Sequence, residues 1–287
     1  MAAFTNQATL TYRNSVRNSN IVSGEVVQVL SADKNAVRDT YAPGETITYT
    51  VSLVNAGTTP YNNLTVTDNL GAYTVGTLTP VTVVPMTYTD GSVLVFVNGV
   101  LQAAPAVTAG PPLVISGINV PAGGNTVLVY RATLNEYAPL GTGAQVQNTA
   151  TISGAGISTP LTATETVTAA QGADLAITKS LFPATVVENG QLTYTFTIQN
   201  YGTAATVATD EVFVSDTFLP ILTDLTVLLN GTPLAVTTDY TYDESTGVFS
   251  TVPGRIVVPA ATYAQDPATG IWTVDPGVAT LTVTGTV

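Results

Sequence analysis

The chain has 287 residues, no Cys and no His, and its 19 acidic residues outnumber 7 basic ones for a formal net charge of −12. Without imidazole or thiol groups, catalytic triads, the common zinc sites and disulfides are all excluded. An acidic chain without a basic stripe is also a poor partner for nucleic acid. With 45% hydrophobic and 9% charged residues, and Val and Thr most abundant, the composition predicts a folded β-protein of about two domains.

The first 28 residues are predicted to form one strand and a connector. Residues two apart on a strand share a face, and the shared face of this strand carries Phe4, Asn6, Ala8, Leu10 and Tyr12. The extreme amino terminus has neither the positive charges nor the apolar run of a secretory signal. We therefore expect a protein made without a leader, or one from which a leader has been removed. No apolar run of the chain is long enough to span a membrane.

The remainder of the chain contains two copies of one design. Tyr49, in Gly-Glu-Thr-Ile-Thr-Tyr-Thr-Val-Ser-Leu-Val-Asn-Ala-Gly, recurs 145 residues later as Tyr194, in Gly-Gln-Leu-Thr-Tyr-Thr-Phe-Thr-Ile-Gln-Asn-Tyr-Gly. Alternating runs such as residues 46–54 predict half-buried strands, and an Asn-Gly pair in each copy predicts a tight hairpin turn. No segment shows a convincing helical period. The pattern predicts an all-β chain of two tandem immunoglobulin-like antiparallel β-sandwiches.

The repeat also predicts the domain boundaries. Residues 1–28 are the amino-terminal strand and connector, 29–153 the first immunoglobulin-like domain, 154–172 a connector, and 173–287 the second domain. The first domain is expected to end with the strand at residues 147–153. No equivalent of that strand follows in the second domain, so we expect the second domain to lack its final strand.

The missing strand has a counterpart at the amino terminus. Thr5–Thr11 matches Gln147–Ser153 position for position at an offset of 142 residues. A sandwich without an edge strand exposes unpaired N–H and C=O groups beside an uncovered core, and a strand from a neighbouring molecule can complete it. Because donor and acceptor are different surfaces, the expected product is an open head-to-tail homopolymer. The alternative is that the strand folds back onto its own second domain, or is a frayed terminus.

Inward-facing polar residues occur at matching positions of both copies. In the first domain they are Lys34, Asp68 and Asn148, each in phase with apolar neighbours on its own strand. Buried groups of this kind are costly unless they satisfy one another. The second copy provides Lys179 and Asp216, and the expected third member is Asn6 of the next subunit, on the donated strand. Lys34 and Lys179 are the only lysines in the chain.

The two copies resemble the domain-of-unknown-function 11 family of bacterial surface proteins. The resemblance rests on the Lys strand, the block around Tyr49 and Tyr194, and the strands that end at Asp68 and Asp216. A two-repeat chain also looks like the subunits of clostridial spore appendages. The resemblance implies a structural module on an extracellular or spore surface.

The polar residues resemble the Lys-Asp/Glu-Asn set of Gram-positive pilin and adhesin domains. That resemblance implies spontaneous isopeptide bonds, in which the Lys amine attacks the Asn side-chain carbonyl while the acid relays protons. The bonds would form between Lys34 and Asn148 within a chain, and between Lys179 and Asn6 of the next subunit. The alternative is a buried ion pair that an Asn amide caps, since such groups are often structural.

The sequence therefore predicts a structural fibre subunit whose partner is a second copy of itself, without an enzymatic activity, cofactor or metal. The alternative is a monomeric surface adhesin or spacer that binds a glycan or protein through its loops. We interpret the repeated Asn55-x-Gly57 and Asn200-x-Gly202 motifs as strand-end turns rather than as a site. The sequence does not identify an adhesive target.

Overall fold

The computed structural model of the chain describes residues 2–13 and 15–287, so Met1 and Asn14 of the predicted amino-terminal region lie outside it. The described residues form β-strands and loops, with one 3₁₀ turn at Ala208–Asp210. This confirms the predicted all-β class. Within the described part of the chain, no helix has the length and apolar character needed to cross a membrane.

The amino-terminal segment forms a hairpin of its own. Its strands are β1 Ala2–Asn6, β2 Thr9–Tyr12, β3 Ser15–Asn18 and β4 Val22–Val26. β1 pairs with β4 and β2 pairs with β3, in both cases antiparallel. In the described residues none of these strands joins a sheet of either sandwich. The predicted single strand is thus one side of a hairpin, and the alternative of a strand folded back onto its own second domain does not occur there.

The first sandwich consists of two main sheets. Its strands are β5 Leu30–Ala36, β6 Thr40–Tyr41, β7 Thr46–Asn55, β8 Tyr61–Asp68, β9 Tyr73–Val75, β10 Val81–Val83, β11 Met86–Tyr88, β12 Leu94–Val97, β13 Val100–Leu101, β14 Ala106–Thr108, β15 Leu113–Val120, β16 Asn125–Leu134, β17 Gln145–Ser153 and β18 Leu161–Ala169. One sheet has the order β13-β12-β16-β7-β5, with β11 also on β16, and the other has the order β14-β15-β8-β17-β18-β6. β9 and β10 pair with each other.

The segment predicted to be a connector, residues 154–172, contains a strand of the first sandwich. β18 pairs with β17 along nearly its whole length and with β6 at its end. The strand predicted to be the last one, β17, is therefore an interior strand between β8 and β18. β18 buries Ala163, Val167 and Ala169 toward the core, and its alternate positions are all Thr. Because the core side chains of β18 are mostly small and the second half has no equivalent, neither hydropathy nor repeat matching indicated this strand.

The second sandwich repeats one sheet of the first and only part of the other. Its strands are β19 Leu175–Phe182, β20 Gln191–Asn200, β21 Ser215–Thr217, β22 Thr223–Leu229, β23 Thr232–Pro233, β24 Tyr240–Asp243, β25 Val248–Thr251, β26 Thr262–Gln265, β27 Trp272–Asp275 and β28 Gly277–Thr286. The sheet β19-β20-β28-β22-β23 has the order of β5-β7-β16-β12-β13. The other sheet has three strands, β21-β25-β24, which match β8-β15-β14. Among the described residues, no strand occupies the places of β17, β18 and β6.

Both Asn-Gly pairs form the predicted hairpin turns. Asn98 and Gly99 join β12 to β13 with φ angles of 47° and 79°, and Asn230 and Gly231 join β22 to β23 with 50° and 78°. Positive φ at both central residues is the geometry of a type I′ turn, which Asn and Gly tolerate best. The turn is therefore conserved between the two sandwiches of this chain.

An additional hairpin of the second sandwich contacts the first. β26 pairs with β27, and Gln265 Nε2 and Trp272 Nε1 both donate hydrogen bonds to the Tyr73 hydroxyl, at 2.8 and 3.2 Å. The backbone N–H of Trp272 donates a further hydrogen bond to the Glu136 backbone carbonyl at 2.9 Å. These bonds tie the two sandwiches together beyond the short connection along the chain.

Candidate functional site

Lys34 and Asp68 form a buried ion pair in the centre of the first sandwich. Lys34 Nζ lies 2.5 Å from Asp68 Oδ2, and the two side chains are 0% and 1% exposed. Lys34 lies on β5 and Asp68 ends β8, so the pair joins the two sheets. The carboxylate also accepts hydrogen bonds from the Tyr130 hydroxyl and from the Leu70 N–H. Both charges thus have partners, as burial of charged groups requires.

Two tyrosine rings enclose the Lys34 ammonium. Its Nζ lies 4.9 Å from the ring centroid of Tyr49 and 5.8 Å from that of Tyr130. The rings stack on each other with centroids 5.7 Å apart. Cations are attracted to such ring faces, but the same rings exclude water from the amine. The rings therefore attract the charged amine and at the same time shield it from water.

Asn148 is buried against this pair without a hydrogen bond of its own. Its side chain is 0% exposed, and neither its Nδ2 nor its Oδ1 has a partner. β17 places it two residues from Ala150, the strand partner of Asp68, and therefore on the same face of the sheet. Burial raises the pKa of both Tyr49 and Tyr130, and the neighbouring Asn148 amide partly offsets the rise. The Asn148 amide therefore lies close to the two tyrosine hydroxyls that border the ion pair.

Glu165 is the one member of this cluster that the sequence analysis missed. It lies on β18 directly opposite Asn148 and is partly buried in phase with Ala163 and Val167. Burial lowers the pKa of Lys34 to about 8, and the charges of Asp68 and Glu165 partly offset that fall. The inward position of Glu165 could have been predicted from the sequence only if β18 had been recognised as a strand. We call Lys34, Asp68, Asn148 and Glu165 the first lysine cluster.

The second sandwich contains half of the same cluster in an open form. Lys179 Nζ pairs with Asp216 Oδ2, and the two side chains are 40% and 20% exposed. Lys179 lies 4.3 Å from the ring centroid of Tyr194, the equivalent of Tyr49. Among the described residues no strand occupies the places of β17 and β18 here, so this pair has no counterpart of Asn148 or Glu165 within the second sandwich. We call Lys179 and Asp216 the second lysine cluster.

An apolar groove lies beside the second lysine cluster. We call it the open groove, and it has a volume of about 180 Å³ between β19 and β20 on one side and residues 212–214 on the other. All eight residues of β19 are exposed, whereas the equivalent β5 buries Leu30 and Lys34. The groove is lined by Leu175, Ala176, Ile177, Ile198, Val212, Phe213 and Val214. It is the position that β17 and β18 cover in the first sandwich.

The predicted donor residues lie away from both sandwiches. Phe4 is 54% exposed, and Leu10 and Tyr12 are each 66% exposed. Asn6 and Ala8 are exposed as well, and Asn6 pairs with Val22 within the hairpin. The structure therefore brings Lys34, Asp68 and Asn148 together within one chain, and it does not bring Asn6 to Lys179 within one chain.

The two Asn-x-Gly motifs are turns, as predicted. Asn55 Nδ2 donates to the carbonyls of Thr59 and Pro121, and its Oδ1 accepts from the Gly57 N–H. Asn200 makes the same three bonds, to Ala204, Pro259 and Gly202. In each sandwich the motif holds a loop against the sheet by hydrogen bonds.

The described residues contain no cluster of three or more acidic, His or Cys residues that could hold a metal ion.

Comparison with known proteins gives weak structural similarities. The chain is similar to the major pilin subunit BcpA of Bacillus cereus, with 14% identity and a TM-score of 0.36 over 96% of this chain and 73% of that chain. It is also similar to the pilus backbone RrgB of Streptococcus pneumoniae, with 16% identity and a TM-score of 0.34 over 86% of this chain and 55% of that chain. Its similarity to the collagen-binding domain of a Staphylococcus aureus adhesin has 9% identity and a TM-score of 0.31, over 50% of this chain and 99% of that chain. No protein-family profile and no curated protein sequence matches the chain.

The two ion pairs predict losses of stability of different size for the same substitution. Asp68→Asn leaves Lys34 buried without its ion-pair partner, so it should lower the free energy of unfolding of the first sandwich by about 3–5 kcal/mol. Asp216→Asn is the matched control, because exposed pairs contribute about 1 kcal/mol or less. Calorimetric unfolding of both variants measures the difference. Equal losses would contradict the assigned burial of the two pairs.

Proposed function

We propose that this protein is the structural subunit of an extracellular fibre, such as a spore appendage. Each subunit inserts its amino-terminal strand into the second sandwich of a neighbour. One observation carries the proposal: the open groove of the second sandwich corresponds to the place of β17, and the amino-terminal Thr5–Thr11 repeats the sequence of that strand. The resemblance to bacterial surface repeats supports an extracellular role.

The energetics of the free subunit favour such an exchange. In the acceptor, Ile177 is 55% exposed and Phe213 is 53% exposed beside an unpaired edge of β21. In the donor, Phe4 and Leu10 are equally exposed on a two-stranded hairpin, and isolated hairpins are marginally stable in water. Insertion buries both apolar surfaces and supplies hydrogen bonds to the edge. Both partners therefore lose exposed apolar surface on docking.

Donation has a direction that leads to a fibre. The donor is the amino-terminal hairpin and the acceptor is the second sandwich, so each subunit has one of each. Such heterologous contacts make open polymers unless their rotation closes a ring. The product is a linear chain in which every second sandwich is completed by the next molecule.

The first lysine cluster supports a covalent lock within each subunit. In the neutral form of the pair, a proton of Lys34 resides on Asp68, and the amine can attack Cγ of Asn148. The Nζ–Cγ bond forms, the Cγ–Nδ2 bond breaks, and ammonia leaves with one proton that came from the amine and that Asp68 relays. Burial lowers the pKa of Lys34 to about 8, which favours the neutral amine that the attack requires. The Asn148 amide is completely buried and lies beside the tyrosines that enclose the amine.

The same chemistry between subunits would lock the fibre. Docking of Thr5–Thr11 in the place of β17 brings Asn6 to Lys179 and Asp216 as β17 brings Asn148 to Lys34 and Asp68. Docking would also cover Lys179, which is accessible to water in the free subunit. We propose that the bond between subunits forms only after donation, because only then are the amine and the amide held together.

Leu10→Glu tests donation. Leu10 matches Ile152, which is 0% exposed in the first sandwich, so a carboxylate at this position should prevent docking and leave monomers. Thr11→Glu, on the opposite face of the same strand, is the matched control and should still give fibres. Electron microscopy and sedimentation measure the difference. Long fibres from the Leu10→Glu variant would contradict donation, and monomers from the unchanged chain would favour an adhesin or spacer.

Asn6→Ala and Asn148→Ala test the proposed bond between subunits and the proposed bond within a subunit separately. For the unchanged chain we expect a ladder of covalent multimers in hot detergent, and a free subunit lighter than its sequence by one ammonia. Asn6→Ala should remove the ladder and keep that internal loss, whereas Asn148→Ala should keep the ladder and restore the full sequence mass. Denaturing gels and intact-mass spectrometry measure both. Unchanged chains at full sequence mass, in fibres that dissolve to monomers, would rule out the bonds.

A further inference from the structure

The first sandwich closes its core with two strands beyond β8. β17 pairs with β8, and β18 pairs with the far edge of β17. β18 buries Val167 completely and Ala163 and Ala169 nearly so, and it reaches β6 by parallel pairing at its end. A lone β17 would present a new unpaired edge in place of the old one. Completion of this sandwich therefore takes a pair of strands.

Among the described residues, no strand fills either of these positions in the second sandwich. On the edge strand β19, Leu175 is 39% and Leu181 is 42% exposed. The segment Thr185–Val186 matches β6 at the offset of 145, and the next residue, Val187, is 77% exposed. One donated strand would fill the place of β17, and the face that β18 covers in the first sandwich would stay open.

The amino-terminal segment contains a match for the second strand as well. Ile21-Val-Ser-Gly-Glu-Val-Val27 matches Leu161-Thr-Ala-Thr-Glu-Thr-Val167 at an offset of 140. The residues that match inward-facing positions are Ile21, Ser23, Glu25 and Val27, and their counterparts are Leu161, Ala163, Glu165 and Val167. The stretch between the two matching segments is nine residues here and seven in the first sandwich. The order and spacing of both strands are thus nearly those of β17 and β18.

We propose that the donated element is the whole amino-terminal hairpin, with Ile21–Val27 in the place of β18 in a second copy of this chain. This inference rests on the proposed function and extends it from one strand to two. The acceptor surface then includes β19 and residues 185–187 in addition to the open groove. The completed sheet of the second sandwich has the order β24-β25-β21 followed by both donated strands.

The proposal assigns a partner to Asn6 within the donor. In the first sandwich Asn148 lies directly opposite Glu165, whose charge acts on Lys34. In the docked hairpin Glu25 lies opposite Asn6 in the same way and beside Lys179 of the acceptor. The second lysine cluster then has all four members of the first.

The free hairpin has a different register from the docked one. In the free subunit Asn6 pairs with Val22, whereas a pairing like that of β17 with β18 sets Asn6 opposite Glu25, three residues further along. The free pairing also sets Phe4 opposite Gly24. Docking therefore requires the free hairpin to open and pair again, at low cost because its paired side chains are exposed where the structure describes them.

Val27→Glu and Val22→Glu test the proposal in the full chain. Both side chains are exposed in the free subunit, 62% and 55%, so neither change should alter its folding. Val27 matches the completely buried Val167, and its substitution should raise the concentration needed for fibre growth by about 100-fold or more, since a carboxylate would enter an apolar interface. Val22 matches the exposed Thr162, and its substitution should change that concentration by less than about twofold.

The outcomes distinguish this inference from the proposed function. Growth blocked by both Leu10→Glu and Val27→Glu, with Val22→Glu unaffected, supports donation of the hairpin. Growth blocked by Leu10→Glu alone overturns the hairpin and leaves donation of one strand. Growth unaffected by any of the three overturns donation itself. Circular dichroism of each monomer checks that the sandwiches remain folded.

Discussion

In the first sandwich, residues 65–68 of β8 pair with residues 150–153 of β17, and β18 closes the core above β5. In the second sandwich the equivalent edge of β21 has no partner among the described residues, and apolar side chains line the groove beside it. Unpaired backbone groups at a sheet edge are a ready template for pairing with another chain. The exposure of β19 and the accessible second lysine cluster both follow from this one open edge, and the proposed donation would close it.

The two lysine clusters can be compared as a closed and an open form of one arrangement. In the closed form the pair is out of contact with water, tyrosine rings enclose the amine, and Asn148 is buried two residues from the strand partner of Asp68. In the open form the same pair is accessible, and Asn6, the amide that we propose for it, lies in the amino-terminal hairpin. Under the proposed exchange, burial both drives association and creates the low-polarity surroundings in which the amine becomes reactive. Under the proposal, burial of the same surfaces would therefore drive both assembly and crosslinking.

Much of this arrangement could be predicted from the sequence, because it rests on periodicity. Alternation placed Lys34, Asp68 and Asn148 inside the first sandwich, and the offset of 145 paired two of them with Lys179 and Asp216. β18 and Glu165 could not be found this way. A strand whose core side chains are mostly small has a weak hydropathy signal, and its absence from the second half removed it from any comparison of the two halves. The amino-terminal hairpin was missed for the same reason, since its second strand resembles only β18.

The central claim is that each subunit has one donor and one acceptor, which can be disabled separately. Leu10→Glu disables the donor, and Ile177→Glu, on the exposed side of the open groove, disables the acceptor without burying a charge in the free subunit. Each variant alone should stay monomeric, whereas Thr178→Glu, on the other face of β19, should polymerise. The decisive measurement is native mass spectrometry of the two disabled variants mixed together. The account predicts a dimer containing one copy of each and nothing longer, and a mixture that stays monomeric or forms long polymers would contradict it.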